Sequence, residues 1–191
     1  MANPKPVFHV KEVPEDIRQI GHNKKHLKMQ FRHQDKILEG IGFGFGDLYD
    51  HLSSKTPISI VGELGINEWN GFRKVQIIMQ DMKIDERQLF DHRGKLEFDI
   101  TPYVQDHIDC AAVYQSLPDE NAYPDNVLCV TYDTDISVLR EVNTLFLFDM
   151  PTDLETFKWL LERFNPANIH ACFSLQDSAF MNVFPAREDF K

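Results

Sequence analysis

The chain has 191 residues, 42% of them hydrophobic, enough for one generous domain or two small ones with a real core. No apolar run approaches the roughly 20 residues of a membrane-spanning helix, and the opening MANPKPVFHV has neither the basic nor the apolar stretch of a secretory leader, so a cytoplasmic protein with no membrane partner is expected. The net charge of -10 is unevenly spread: residues 1–90 hold 13 Lys or Arg against 12 Asp or Glu, residues 91–191 hold 7 against 18, and only the first half suits a polyanion.

VFHVKEV reads as a first strand interrupted by Pro14, which has no N–H for a ladder. After a turn at GHNKK, Leu27, Met29 and Phe31 alternate with Lys28, Gln30 and Arg32, predicting a second strand with an apolar inner and a basic outer face. In residues 37–46, Ile37, Ile41, Phe43 and Phe45 share one side and are expected to pack in the core. Gly40, Gly42, Gly44 and Gly46 share the other, where another backbone or a ligand could approach closely. Asp47 is expected to cap a short helix, DLYDHLSS, ending before Pro57.

Two alternating runs then meet at Asn70-Gly71, the pair best suited to a two-residue hairpin turn. If Trp69 and Phe72 flank the turn, Asn67 faces Lys74 and Gly65 faces Gln76 on one side of the sheet, while Ile66 faces Val75 and Leu64 faces Ile77 on the other. The second side is expected to be core. The first gathers Asn67, Trp69, Phe72, Lys74 and Gln76, to which the phase of the second strand adds Lys28, Gln30 and Arg32. Aromatic rings for stacking, amides, and cations for phosphates make these eight residues a candidate single-stranded DNA surface. A plainer reading keeps Trp69 and Phe72 as a cross-strand pair that only clasps the hairpin. Five alternating strands and one short helix are the order of an all-β OB barrel, assigned to residues 1–88.

Residues 89–191 change pattern. Leu96–Ile100 could be a strand, and Thr101-Pro102 could open a helix in YVQDHID. CAAVYQ and VLCVTYD are nearly continuous apolar runs, as in strands covered on both faces. A short helix, ISVLREV, leads to TLFLFDMP; Thr152-Asp153-Leu154-Glu155 reads as a capping box, Asn165-Pro166 as a stop, and NIHACF as a further strand. Strand, helix and strand with short connections predict a small α/β domain with a mainly parallel sheet, acidic overall. Cys110, Cys129 and Cys172, an odd number without CxxC spacing, are expected to be buried free thiols. His170 is expected to be a structural histidine and Trp159 helix core.

No nucleotide loop is complete: Gly42, Gly44 and Gly46 lack the closing glycine because Tyr49 stands there, and GxxxxGK[ST] is absent. Asp91-His92-Arg93, followed by Gly94, is too little for a two-metal site and reads as a surface turn between domains. No metal ligands, catalytic residues or cofactor are expected.

GIGFGFGDL followed by GELGINEWNGFRKVQIIMQD resembles the OB domain of the RecJ family, bacterial 5′ to 3′ single-strand-specific DNA exonucleases of repair and recombination. LFLFDMP, LETFKWLLERFNPANIHACF and FPAREDF resemble the C-terminal domain of the Firmicutes type of that family. The resemblance implies a non-catalytic C-terminal part of such an enzyme, whose OB domain binds single-stranded DNA and feeds it to a nuclease core. That core would carry aspartate and histidine clusters, including a DHH motif, with manganese or magnesium. Further C-terminal helices of the family are not matched. The partners implied are single-stranded DNA, the nuclease core, and a repair or single-strand-binding protein at the acidic domain. The rival expectation is a protein-interaction module with no role in gripping DNA.

Overall fold

The protein is represented by a computed structural model that describes residues 5–93, 95, 98–104, 109–118 and 123–173. The chain divides into two compact units, Met1–Gln88 and Leu89–Lys191.

The first unit contains β1 (Val7–Glu12), β2 (Asp16–Ile20), β3 (His26–His33), β4 (Lys36–Gly42), β5 (Ile58–Trp69) and β6 (Phe72–Lys83), with a 3-10 turn over Gly46–His51. They form one sheet in the order β1-β5-β6-β4-β3-β2, antiparallel except between β4 and β6. Pro14 divides the expected first strand in two, giving six strands rather than five. The Glu15 N–H donates to Gln30 O at 2.8 Å as pairing resumes beyond it. The sheet does not close as a barrel: β1 and β2 lie at opposite edges, paired with β5 and β3 and joined through Val13–Glu15.

The core follows the pattern of the strands. Leu27, Met29 and Phe31 meet Ile58, Ile60, Ile77 and Met79, all buried and each worth about 1.5–3 kcal/mol of transfer free energy. The turn has Asn70 at φ 50° and Gly71 at φ 79°, the double positive φ that fixes a tight hairpin. The expected register follows: Trp69 pairs with Phe72, Asn67 with Lys74, Ile66 with Val75, Gly65 with Gln76 and Leu64 with Ile77.

Other expectations for this unit are overturned. The outer half of the hairpin is not core: Leu64, Ile66 and Val75 are 46%, 59% and 54% exposed. The cause is length, since β5 and β6 have 12 residues each and β4 only 7, so the hairpin overhangs its neighbours. The glycine side of β4 faces inward: a Cβ on Gly40 would meet Ile60 and Met79 at 3.4 Å, and one on Gly42 would meet Met79 Cε at 2.7 Å. Ile41 is therefore on the opposite face, and the glycines make room for core side chains rather than a ligand. Phe43 is 59% exposed, against the expectation of core packing, whereas Phe45 does pack on the core. Lastly, Asp47 lies inside the 3-10 turn, whose cap is Phe45 without any side-chain bond.

The second unit contains β7 (Gln88–Asp91), β8 (Cys110–Tyr114), β9 (Val127–Thr131), β10 (Thr144–Leu147), α1 (Leu154–Phe164) and β11 (Asn168–Ala171), with 3-10 turns at Thr101–Tyr103 and at Ile136–Val138, the latter in place of the helix expected at ISVLREV. The order is β7-β11-β10-β8-β9, and β8 runs parallel to both β9 and β10, as β10 does to β11. One face packs Ala111, Val113, Val130, Leu145, Leu147 and Ile169 under Leu160 and Phe164 of α1, with Trp159 partly buried beside them. The other packs Cys110, Ala112, Phe146 and Cys172 against Ile100. The helix cap is Asp153 rather than Thr152: its carboxylate accepts from Thr156 N at 2.7 Å, and Asn165 in the left-handed region ends the helix. The expected strand at Leu96–Ile100 and the rest of YVQDHID fall partly outside the described residues.

Candidate nucleic-acid interface

Pairing fixes which side chains share the outer face of the first unit, because directly opposed residues in a sheet lie on the same side. Lys28 opposes Ile41, Gln30 opposes Glu39 and Arg32 opposes Ile37; Glu39 and Ile41 oppose Gln76 and Ile78; Lys74 opposes Asn67, and Trp69 opposes Phe72. Seven candidate residues, Lys28, Gln30, Arg32, Asn67, Phe72, Lys74 and Gln76, therefore occupy one face, and the eighth, Trp69, is in backbone register with Phe72. Phe72 is 76% exposed at the hairpin end, a ring free to stack. The Trp69 backbone places that residue across from it.

The cations on this face are less available than the alternation implies. Glu39, only 6% exposed, sits at its centre on β4. It accepts from Lys28 Nζ at 2.9 Å and from Gln30 Nε2 at 3.4 Å, and Lys74 Nζ lies 3.9 Å away. The hydrogen bond from Lys28 holds the Glu39 carboxyl below the usual carboxylate range, outweighing the opposing effect of burial. Arg32 donates from Nε to Glu15 at 2.8 Å, and Arg18 pairs with Asp16 at 3.0 Å. Lys74 keeps most of its surface.

A second aromatic position was misassigned by phase. Phe43 packs edge-on against His26, ring centroids 5.3 Å apart, and Gly44 N donates to His26 Nδ1 at 3.1 Å, which leaves the ring proton on Nε2. The signal was present in the sequence, since His26 is in phase with Lys28, but the glycines drew Phe43 to the wrong side. Glu39 was missed because a lone carboxylate just ahead of the glycine run gives no pattern of its own.

The second unit buries two histidines that face each other. His92 Nε2 and His170 Nδ1 are 3.0 Å apart, stacked among Phe90, Phe98 and Phe146. His92 is thus core, not the surface turn expected of Asp91-His92-Arg93, and burial lowers its pKa to about 4. Arg93 grips both oxygens of Asp91, at 2.7 and 2.6 Å. With the carboxylate and the imidazole so engaged, the triplet does not fit a metal ion. Among the described residues no group of three or more His, Cys, Asp or Glu is arranged to hold one. The three cysteines are free thiols, Cys110 and Cys172 buried.

The RecJ OB domain model matches residues 1–81, and that of the single-strand DNA-specific exonuclease C-terminal domain matches residues 88–191. The chain belongs to the RecJ family. It is 35% identical over 208 residues to the single-stranded-DNA-specific exonuclease RecJ of Bacillus subtilis, with 100% of this chain aligned to 25% of that protein. The chain thus spans about a quarter of the length of this curated relative. Two solved structures of RecJ from Thermus thermophilus, in complex with Mg²⁺ and with Mn²⁺, cover 96% of the chain at 15% and 14% identity. Their TM-scores are 0.34 and 0.35, and the chain covers 26% and 25% of them. The single-strand-binding domain of a Synechococcus protein, 14% identical, covers 43% of the chain, which covers 97% of that domain, at a TM-score of 0.31.

Proposed function

We propose that the outer face of β3, β4, β5 and β6 binds single-stranded DNA, and that the chain is the non-catalytic, strand-gripping part of a RecJ-type 5′ to 3′ exonuclease of DNA repair and recombination. The observation that carries this reading is the convergence of Lys28, Gln30, Arg32, Asn67, Phe72, Lys74 and Gln76 on one face, with Trp69 in backbone register beside Phe72 and Phe72 exposed for stacking. Hydrolysis in this reading belongs to a nuclease core outside the 191 residues, where manganese or magnesium would serve as Lewis acid and activate water. The chain itself needs no cofactor, and the setting is the cytoplasm.

A second reading has its own support. Leu64, Ile66 and Val75 form an exposed apolar strip on the reverse of the hairpin, and residues 91–191 are strongly acidic, so the chain could instead dock a repair or single-strand-binding protein. Salt separates the two. Binding of labelled oligo(dT) that weakens steeply between low and moderate salt supports the DNA-binding face, whose marginal cations meet the phosphates, whereas absence of binding at low salt leaves only the docking role.

A further inference from the structure

We infer that Glu39 makes the outer face selective for unpaired bases over phosphate, a reading that rests on the single-strand-binding function above. The residue stands on the middle strand of the face, with Gln30 in register on one side and Gln76 on the other. It is held there by Lys28 and Gln30 and is almost wholly buried. Its charge offsets Lys28, which is itself largely covered, and draws on Lys74 at 3.9 Å. A phosphate laid flat on this part of the sheet meets little uncompensated positive charge, because the covered carboxylate cancels Lys28.

A base meets something different. Beside Glu39 lie the amides of Gln30 and Gln76, the aliphatic Ile41 and Ile78, and Gly65, where an added Cβ would touch only Ile78, at 3.4 Å. That combination offers a shallow step and polar groups to a neutral ring with N–H donors. Phosphates are left to the margins, where Lys74 projects into solvent. A duplex turns its phosphates outward and its base faces inward, so it must place charge where the carboxylate stands. Glu39 is thus a positioning residue: it acts through the two lysines, without touching base or sugar in the role assigned to it.

The test compares oligo(dT), a matched duplex and heparin by fluorescence anisotropy at three salt concentrations, using the 191-residue chain. Glu39→Gln releases Lys28 and Lys74. The duplex salt slope should rise by about one to two units, duplex and heparin affinity at low salt should rise roughly tenfold, and the single-strand to duplex ratio should fall. Lys28→Met leaves the carboxylate less compensated and should move the ratio the other way. Opposite signs are the mark of the proposed role, because both variants break the same ion pair and a purely structural pair would lower melting temperature and all binding together. A common loss for all three ligands, or an unmoved ratio, overturns the inference; if Glu39→Gln does not fold, the direction taken by Lys28→Met decides. Wild type that binds no oligo(dT) removes the proposed function and this inference with it. Wild type that binds, with variants that fail to split, removes the inference alone.

Discussion

In Met1–Gln88 the strands alternate, so half of their side chains meet water and the polar chemistry is laid out on one face. In Leu89–Lys191 the parallel strands read almost entirely apolar; the polar groups packed with them, His92, His170, Tyr114 and the thiols of Cys110 and Cys172, are swallowed by the core. Burial pushes the Cys110 thiol up to about 11 and that of Cys172 up to about 12, so both stay protonated and unreactive at neutral pH. The contrast teaches that a cluster of titratable residues is no guide to function until its access to solvent is known. The striped sheet keeps its polar side chains in water, whereas the unit that buries a histidine pair and two thiols is built for packing.

The hardest blow to the packed unit should come from Phe146→Ala. Removing a fully buried ring that lies 4.8 Å from His170 is expected to cost about 3–5 kcal/mol in urea denaturation while oligo(dT) affinity is unchanged. Loss of DNA binding by a folded variant would show that the division of labour is drawn in the wrong place. Acid comes next. His92 is depressed from 6.5 to about 4 by burial, so between those values the unfolded chain binds a proton that the folded one refuses. Stability due to this group is fully present above pH 6.5 and declines as pH falls toward 4, by up to about 3 kcal/mol. Urea melts at pH 7.5 and 4.5 read it, and His92→Phe should flatten the difference.

Phe72→Ala probes the solvated sheet. With 76% of the residue exposed, stability should hold, while oligo(dT) binding falls by about 1–3 kcal/mol, a five- to hundredfold loss. Unchanged affinity would reduce the aromatic pair to a hairpin clasp. The smallest effect is expected from Asp153→Ala, which removes the bond to Thr156 N and should cost about 1 kcal/mol in thermal melts without touching DNA binding.

Much of the fold was legible because short-range rules govern it. Asn70-Gly71 dictated the turn, and the turn dictated the register from Trp69 back to Leu64. The apolar runs from Cys110 and Val127 announced strands buried on both faces, with the parallel sense that the structure has. What escaped depends on comparisons between elements distant in sequence. That Leu64, Ile66 and Val75 lie bare follows from β5 and β6 outrunning β4, and strand lengths cannot be compared before the pairing is known. The inward turn of Gly40 and Gly42 follows from the bulk of Met79 across the core, which no local pattern near residue 40 reveals. The phase of β3 did place Lys28, Gln30 and Arg32 correctly. The partners that restrain them, Glu39 and Glu15, needed the third dimension.

The division of the first strand at Pro14 also bears on how this unit comes together. β2 pairs with β3, its neighbour along the chain, but β1 pairs with β5 across a gap of about 50 residues. Closing so long a loop loses more chain entropy than forming the β5–β6 or β3–β4 hairpins, so loop closure favours those ladders first and leaves β1 to be added to an edge already made. The same ordering in reverse makes β1 the strand that lifts away most readily, baring the edge of β5 while the central strands stay paired. A single residue without an N–H thus separates a strand that is local in folding from one that is not, though only three residues of chain lie between them.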